Sequence, residues 1–177
     1  MRKSSSWFAA LYVPWLLLLA ACAQLPVSVP GADDNASEAN AVLAAMDRYM
    51  TAISTKDYAA QRALDMPNAM TWSARPGAGG ALVVTPRPNT YWTDPARDSG
   101  KALEERYWKP TVLVRGPIAI VWAPYEFKID GKTSHCGVDV FDFVKVDGVW
   151  RVANAMWTVE PDACERLRPT DGAAIRP

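Results

Sequence analysis

The sequence predicts an α+β domain in which an antiparallel sheet covers a small set of N-terminal helices. Three observations carry this. Between residues 38 and 53 apolar side chains recur at spacings of three and four, the repeat of an amphipathic helix. From residue 111 to 159, four runs rich in β-branched and aromatic residues follow one another. Asp130-Gly131 and Asp147-Gly148 separate the last three runs, and Asp-Gly suits a tight hairpin because both central residues of a type I′ turn need positive φ. The chain has 177 residues, 50% hydrophobic and 21% charged, enough to bury one core and too apolar to stay disordered. Its 19 basic and 19 acidic residues leave no charge excess for nucleic acid.

The N-terminus reads as a targeting segment. Arg2 and Lys3 precede an apolar run from Trp7 to Leu19, followed by small residues, as in a secretory signal peptide. Leu19-Ala20-Ala21-Cys22 resembles the bacterial lipobox, whose cysteine becomes the N-terminus and carries acyl chains such as palmitate on its thiol. Pro14 and the shortness of the run argue against a membrane span. The expectation is a signal peptide over 1–21, lipidation at Cys22, and attachment to a membrane through that lipid. Ala23 follows where an aspartate would resemble the inner-membrane retention signal, which points to the periplasmic side of the outer membrane of a Gram-negative cell. Cleavage removes Arg2 and Lys3, so 17 basic residues face 19 acidic ones, a net charge of −2. Lipid rather than a basic patch must then hold the chain to the membrane.

Residues 22–35, small, polar and proline-containing, are expected to form a tether. The domain proper is expected over 36–165, with 166–177 as a C-terminal tail. Asn35 or Ser37 can cap a first helix, with Val42, Ala45, Met46, Tyr49, Ala52 and Ile53 on its apolar face. Thr55 or Asp57 can cap a second, ending near Leu64 before Pro67. Residues 73–99 read as a weak strand pair around Ala81–Thr85 and a long loop, and a loop of that length is unusual unless it covers a site. Ser99 can cap a third helix over 101–108, stopped by Pro110.

Two-residue turns fix the register of the hairpins. Uninterrupted pairing sets Glu126 opposite His135, Trp122 opposite Asp139, and Asp139 opposite Met156. One face then carries Ala119, Val121, Ala123, Tyr125, Phe127, Cys136, Val138, Val140, Val144, Ala153, Ala155 and Trp157. The other carries Ile118, Ile120, Trp122, Glu126, His135, Asp139, Phe141, Phe143, Trp150, Val152, Asn154 and Met156. Both faces are rich in apolar residues, so both need a cover. Trp122, Asp139, Phe141, Asn154 and Met156 make the mixed face a candidate pocket, mostly apolar with a few polar points.

Ala123–Lys132, the stretch His135-Cys136-Gly137-Val138-Asp139, the spacing from Phe141 to Trp150 across Asp147-Gly148, and Trp157-Thr158 with Cys164 together resemble the nuclear-transport-factor-2-like superfamily. The similarity is nearest to its SnoaL-like and lumazine-binding-like branch, covering roughly 40–155 and strongest over 118–164. The resemblance implies a cone: a curved sheet wrapped over about three helices, a pocket between them, and Trp150 and Val152 pointing inward. It also implies frequent dimers through the outer sheet face, here the Ala/Val face. The superfamily holds isomerases, cyclases and dehydratases alongside non-catalytic binding modules, so the fold does not choose the function.

The site residues allow several readings. His135 and Cys136 point to opposite faces of a strand, and the chain has one histidine and no CxxC, so no metal site is expected. No cofactor motif is present: Gly77–Gly80 lacks the strand-to-helix setting of a phosphate loop. Asp139 in an apolar pocket would have a raised pKa and suit a general base, with His135 and Glu126 as a second acid–base pair. Alternatively, Asp139 is held by hydrogen bonds, Glu126–His135 is a rim ion pair, and the pocket binds a small hydrophobic ligand or a partner. Cys136 and Cys164, left after Cys22, are either a disulfide or two buried thiols in an oxidising compartment.

Overall fold

The computed structural model describes residues 32–177. Two helices, α1 (Ala32–Thr55) and α2 (Tyr58–Leu64), lead into β1 (Asp65–Pro76), β2 (Leu82–Pro88), β3 (Leu103–Trp108), β4 (Thr111–Arg115), β5 (Ile118–Ile129), β6 (Lys132–Val146) and β7 (Val149–Thr158). A short α3 (Cys164–Leu167) and β8 (Ile175–Arg176) end the chain. The strands form one curved, unclosed sheet in the order β2-β1-β7-β6-β5-β3-β8. β3 and β4 share one edge of β5: β4 pairs with its first half and β3 with its second, and the chain breaks between them at Lys109, which has φ 45°.

Helix α1 forms where the apolar repeat predicts it and buries Val42, Ala45, Met46, Tyr49, Met50 and Ala52 against the sheet. It starts at Ala32, inside the stretch expected as tether, so Asn35 is helical rather than a cap. Asp57 caps α2 by accepting from the Ala60 N–H. The third expected helix does not exist. Residues 103–108 form β3, where Glu104 and Arg106 alternate with Leu103, Glu105 and Tyr107, and pairing with β5 overrides a weak helical preference. The expected weak strand pair is longer than the sequence suggested. β1 runs parallel to β7 despite Pro67, because its ladder is interrupted between Asp65 and Met70, where Asn68 takes φ 64°. β2 is an edge strand in which Pro86 and Pro88 remove N–H donors that would recruit another chain.

Both Asp-Gly turns adopt the expected left-handed geometry, with Asp130 and Asp147 at φ 52° and 50°. The hairpins start in the predicted register, Ile129 opposite Lys132 and Val146 opposite Val149. Each then slips by one residue at a bulge. Ser134 is left over between β6 and β5, and Ala153 between β7 and β6. Beyond the bulges Asp139 faces Ala123 and Trp157 rather than Trp122 and Met156, and Glu126 faces Cys136 rather than His135.

The bulges recombine the two predicted faces. Ala119, Val121, Ala123 and Tyr125 join Phe141, Phe143, Trp150, Val152 and Ala155 in the core under α1. Trp150 and Val152 therefore point inward as expected, while the Ala/Val residues of β5 do not form the outer face. That face presents Ile118, Ile120, Trp122 and Met156 instead.

Residues 166–177 are not a free tail. β8 pairs with β3, Arg176 ion-pairs with Asp47 of α1, and the Trp108 indole donates to the Leu167 carbonyl at 2.6 Å. Cys136 and Cys164 form a disulfide with Cα atoms 5.1 Å apart, tying α3 to β6. At Gly137, between the half-buried His135 and Asp139, the missing side chain makes room for the chain itself. A Cβ there would overlap the Thr158 carbonyl oxygen and stand 2.8 Å from Tyr125 Cε1. The Tyr125 hydroxyl donates to that same carbonyl at 2.7 Å. Gly137→Ala should accordingly destabilise the domain by about 3 kcal/mol, read as a lower urea midpoint; an unchanged midpoint would contradict the packing described.

Candidate functional site

The sheet divides the residues expected to form one pocket. Asp139 and Phe141 lie inside the cone; Trp122, 53% exposed, Met156, 47% exposed, and Asn154 lie on its outer face. Asn154 Nδ2 donates to Asp142 Oδ2 at 3.5 Å. Glu126 and His135 do not form a pair. Glu126 is buried, ion-paired to Arg106 at 2.5 Å and to Arg168, and accepts from Thr133 at 2.5 Å. Burial alone would raise its pKa, but these bonds from Thr133, Arg168 and Arg106 outweigh it and hold the carboxyl down at about 2. Such a clamped carboxylate is poorly suited to proton transfer. It anchors the C-terminal segment to β5. His135 packs on Phe127 and Tyr125, and burial together with Arg75 lowers its pKa. Cys22 lies outside the described residues.

Asp139 is the singular group of the interior. It is 2% exposed, and its Oδ2 has no hydrogen-bond partner among the described residues. Burial raises its pKa, and the charge of Glu105 on β3 raises it further. Burial also pushes Glu105 up to about 7. Glu105 lines a surface concavity of about 370 Å³ together with Thr51, Ser54 and Arg176, whereas Asp139 is not among the residues of that lining.

A second polar cluster forms around Tyr49 of α1. Asn89 Nδ2 donates to Asp65 Oδ1 at 2.7 Å, and the Tyr49 hydroxyl hydrogen-bonds the same carboxyl. Gln61 Nε2 donates to the Tyr49 oxygen at 3.1 Å. Burial pushes Asp65 up to about 6, against the pull of Asn89 and Tyr49. Asn89 is 3% exposed and its Oδ1 has no partner among the described residues. Asp65 and Asn89 line a cavity of about 600 Å³ walled by Met66, Pro67, Pro88 and Val146. That volume suits a small ligand, and a mostly apolar wall with a few polar groups is the ordinary composition of such a site. Asp65, with a pKa near neutrality, can accept or release a proton there.

Sequence reasoning missed this cavity. Its polar groups come from α2, the start of β1, the turn after β2 and β7, which no local pattern brings together. Two weak signals existed. Tyr49 is the one hydroxyl on α1's apolar stripe, and the long loop was expected to cover a site; Pro88, Asn89 and Thr90, within that segment, line the cavity. Among the described residues no cluster of three or more His, Cys, Asp or Glu is arranged to hold a metal, and no helix is long and apolar enough to cross a membrane.

No protein-family model and no curated protein matches the chain. Solved structures do. A nuclear-transport-factor-2-like protein of unknown function from Shewanella baltica is 17% identical, with a TM-score of 0.52, covering 72% of this chain and 97% of its own. The beta subunit of a candidate aromatic-ring-hydroxylating dioxygenase from Novosphingobium aromaticivorans is 12% identical, with a TM-score of 0.58 and coverages of 71% and 90%. A candidate dehydratase of the nuclear-transport-factor-2-like family from Streptomyces avermitilis is 13% identical, with a TM-score of 0.54 and coverages of 70% and 96%. The fold is therefore the nuclear-transport-factor-2-like cone.

The buried acids set a pH dependence. A carboxyl with a raised folded-state pKa gives stability that is complete below its unfolded value and lost as pH rises through the folded one. Asp65 and Glu105 act in this sense between about pH 4 and 7, and Asp139, raised well above the usual carboxylate range, acts in the same direction as pH rises from about 4. His135, lowered, acts oppositely below about pH 6.5, and Glu126, lowered, acts oppositely at more acidic pH. Asp139→Asn should thus raise Tm at pH 8 more than at pH 5. Equal shifts at both pH values in thermal melts would show that Asp139 is ordinary.

Proposed function

We propose that this chain is a lipid-anchored binding protein of the bacterial cell envelope, with its ligand in the cavity over Asp65 and Asn89. The observation that carries this is the cavity of about 600 Å³ itself, with Asp65, Asn89, Arg62 and Arg151 as its polar points among the apolar walls of Met66, Pro67, Pro88 and Val146. The anchor is Cys22, supported by the Leu-Ala-Ala-Cys stretch, with the domain facing the periplasm from the outer membrane. A second copy packed on the outward sheet face completes the proposal. There Trp72, Met156, Val140 and Trp122 follow one another across neighbouring strands, and three of the four are exposed, an apolar row that a partner would cover.

An acid–base enzyme is the second reading, in which Asp139 transfers protons. The unpartnered Asp139 Oδ2 and the raised pKa values of Asp139 and Glu105 favour it. Glu126, clamped by two arginines, does not support it.

Native mass spectrometry of the full mature chain purified from cells tests the choice. Binding predicts a small-molecule adduct lost in Asn89→Leu and kept in Asp139→Asn. An adduct indifferent to Asn89 would remove the cavity from the reading, and turnover of a ketone abolished by Asp139→Asn would put the enzyme in its place. Fractionation tests the anchor: Cys22→Ser should move the chain from the membrane to the soluble fraction, and an unmoved chain would end the lipid proposal. Light scattering on that soluble chain should give twice the monomer mass, and a monomer would remove the dimer.

A further inference from the structure

We propose that the ligand of this cavity is a small amphipathic anion, its apolar body against Met66, Pro67 and Val146 and its acidic group at Arg62 and Arg151. This rests on the cavity being the ligand site. The lining carries three charged side chains, Arg62, Asp65 and Arg151. The lining therefore has a net charge of +1 with Asp65 ionised and +2 with it protonated, whereas the mature chain is expected to be net negative. Within the cavity the field favours an anion.

Both guanidinium groups are held in place without being neutralised. Arg62 Nη1 donates to the Thr93 carbonyl at 2.5 Å, and Arg151 Nη1 donates to the Ala63 carbonyl. Neither has a carboxylate within ion-pair distance among the described residues, although Asp65 lines the same cavity. Each keeps N–H donors for an acidic group. Asn89 Nδ2 is committed to Asp65. The ligand therefore needs two features: an acidic group for the two guanidinium groups and an apolar body for the remaining wall. The volume suits two or three rings and is too small for a two-chain lipid.

Two fluorescent probes with the same aromatic body test this. 1-Anilinonaphthalene-8-sulfonate carries an anionic group and an N–H; N-phenyl-1-naphthylamine carries the N–H alone. The full mature chain should bind the sulfonate about tenfold more tightly, the order of one charge-assisted hydrogen bond. Arg62→Gln with Arg151→Gln should bring the ratio of the two affinities close to one, with thermal melts confirming that the fold persists. Thr90→Trp, at the exposed mouth, should block both probes. Equal binding of the two probes by the parent chain, both blocked by Thr90→Trp, would overturn the anion preference while leaving the cavity as the site. Binding of both probes undiminished in Thr90→Trp would overturn the cavity reading itself.

Discussion

Two single-residue bulges, at Ser134 in β6 and Ala153 in β7, decide what the sheet offers to α1. The Ser134 bulge places the large side chains Phe141, Phe143 and Trp150, with Val152, on the same face as Ala119, Val121 and Ala123 of β5, and the Ala153 bulge adds Ala155. Small beside large lets α1 lie close while the aromatics fill the space around it, as dense packing requires. Full burial of each such large side chain is worth about 1.5–3 kcal/mol, so this face supplies much of the drive for the helix to dock. Bulges also bend the strand that carries them, and a bent sheet can wrap a helix where a flat one cannot. The curve, the core and the orientation of Asp139 thus follow from two extra residues.

The same arrangement leaves carboxyls where water cannot reach them well. In the interior the charge of Glu105 adds to the burden of burial on Asp139, and Asp65 lines the cavity. Each is less stable ionised than it would be in solvent, and none of the three forms an ion pair among the described residues. Glu126 provides the contrast within one fold. It is equally buried but surrounded by Arg106, Arg168 and Thr133, and it stays ionised while fastening the C-terminal segment. Strength is concentrated along that edge, where the disulfide, β8 and the Trp108–Leu167 bond also converge. Among the described residues the unsatisfied buried side-chain groups are Asn89 Oδ1, Thr93 Oγ1 and Asp139 Oδ2. Departures from internal consistency of this kind are where a folded chain keeps its function.

Much of the architecture could be read from the chain because its causes are local. The 3.6-residue repeat from Val42 to Ala52 marks α1, and Asp130-Gly131 and Asp147-Gly148 mark the hairpins, whose first pairs are as expected. The resemblance of residues 118–164 gave the cone, with Trp150 and Val152 inward, and Cys136 and Cys164 were a disulfide candidate that the structure bonds. Residues 103–108 were misread as helix because Leu-Glu-Glu-Arg-Tyr-Trp has no strong preference by itself, and its strand character comes from the free edge of β5. The pocket was misplaced for a related reason. A bulge leaves no mark in the apolar pattern, yet a shift of one residue turns a strand's side chains over.

By itself the sequence determined the helix, the hairpin turns and the class of fold, and left Cys136 and Cys164 as either a disulfide or two buried thiols. What it determined depends on neighbours within a few residues, or on a pattern spread along one segment. Tertiary structure alone decided that Asp139 faces inward and Trp122 outward, that Glu126 belongs to Arg106 and Arg168, and that Tyr49, Gln61, Asp65 and Asn89 form one hydrogen-bonded cluster. Those outcomes depend on which strand slips by one residue to fit a helix, and on contacts between segments as much as 42 residues apart at Glu126–Arg168. Register and long-range packing are settled together, by the fit of large side chains around α1, and no single stretch of the chain encodes them.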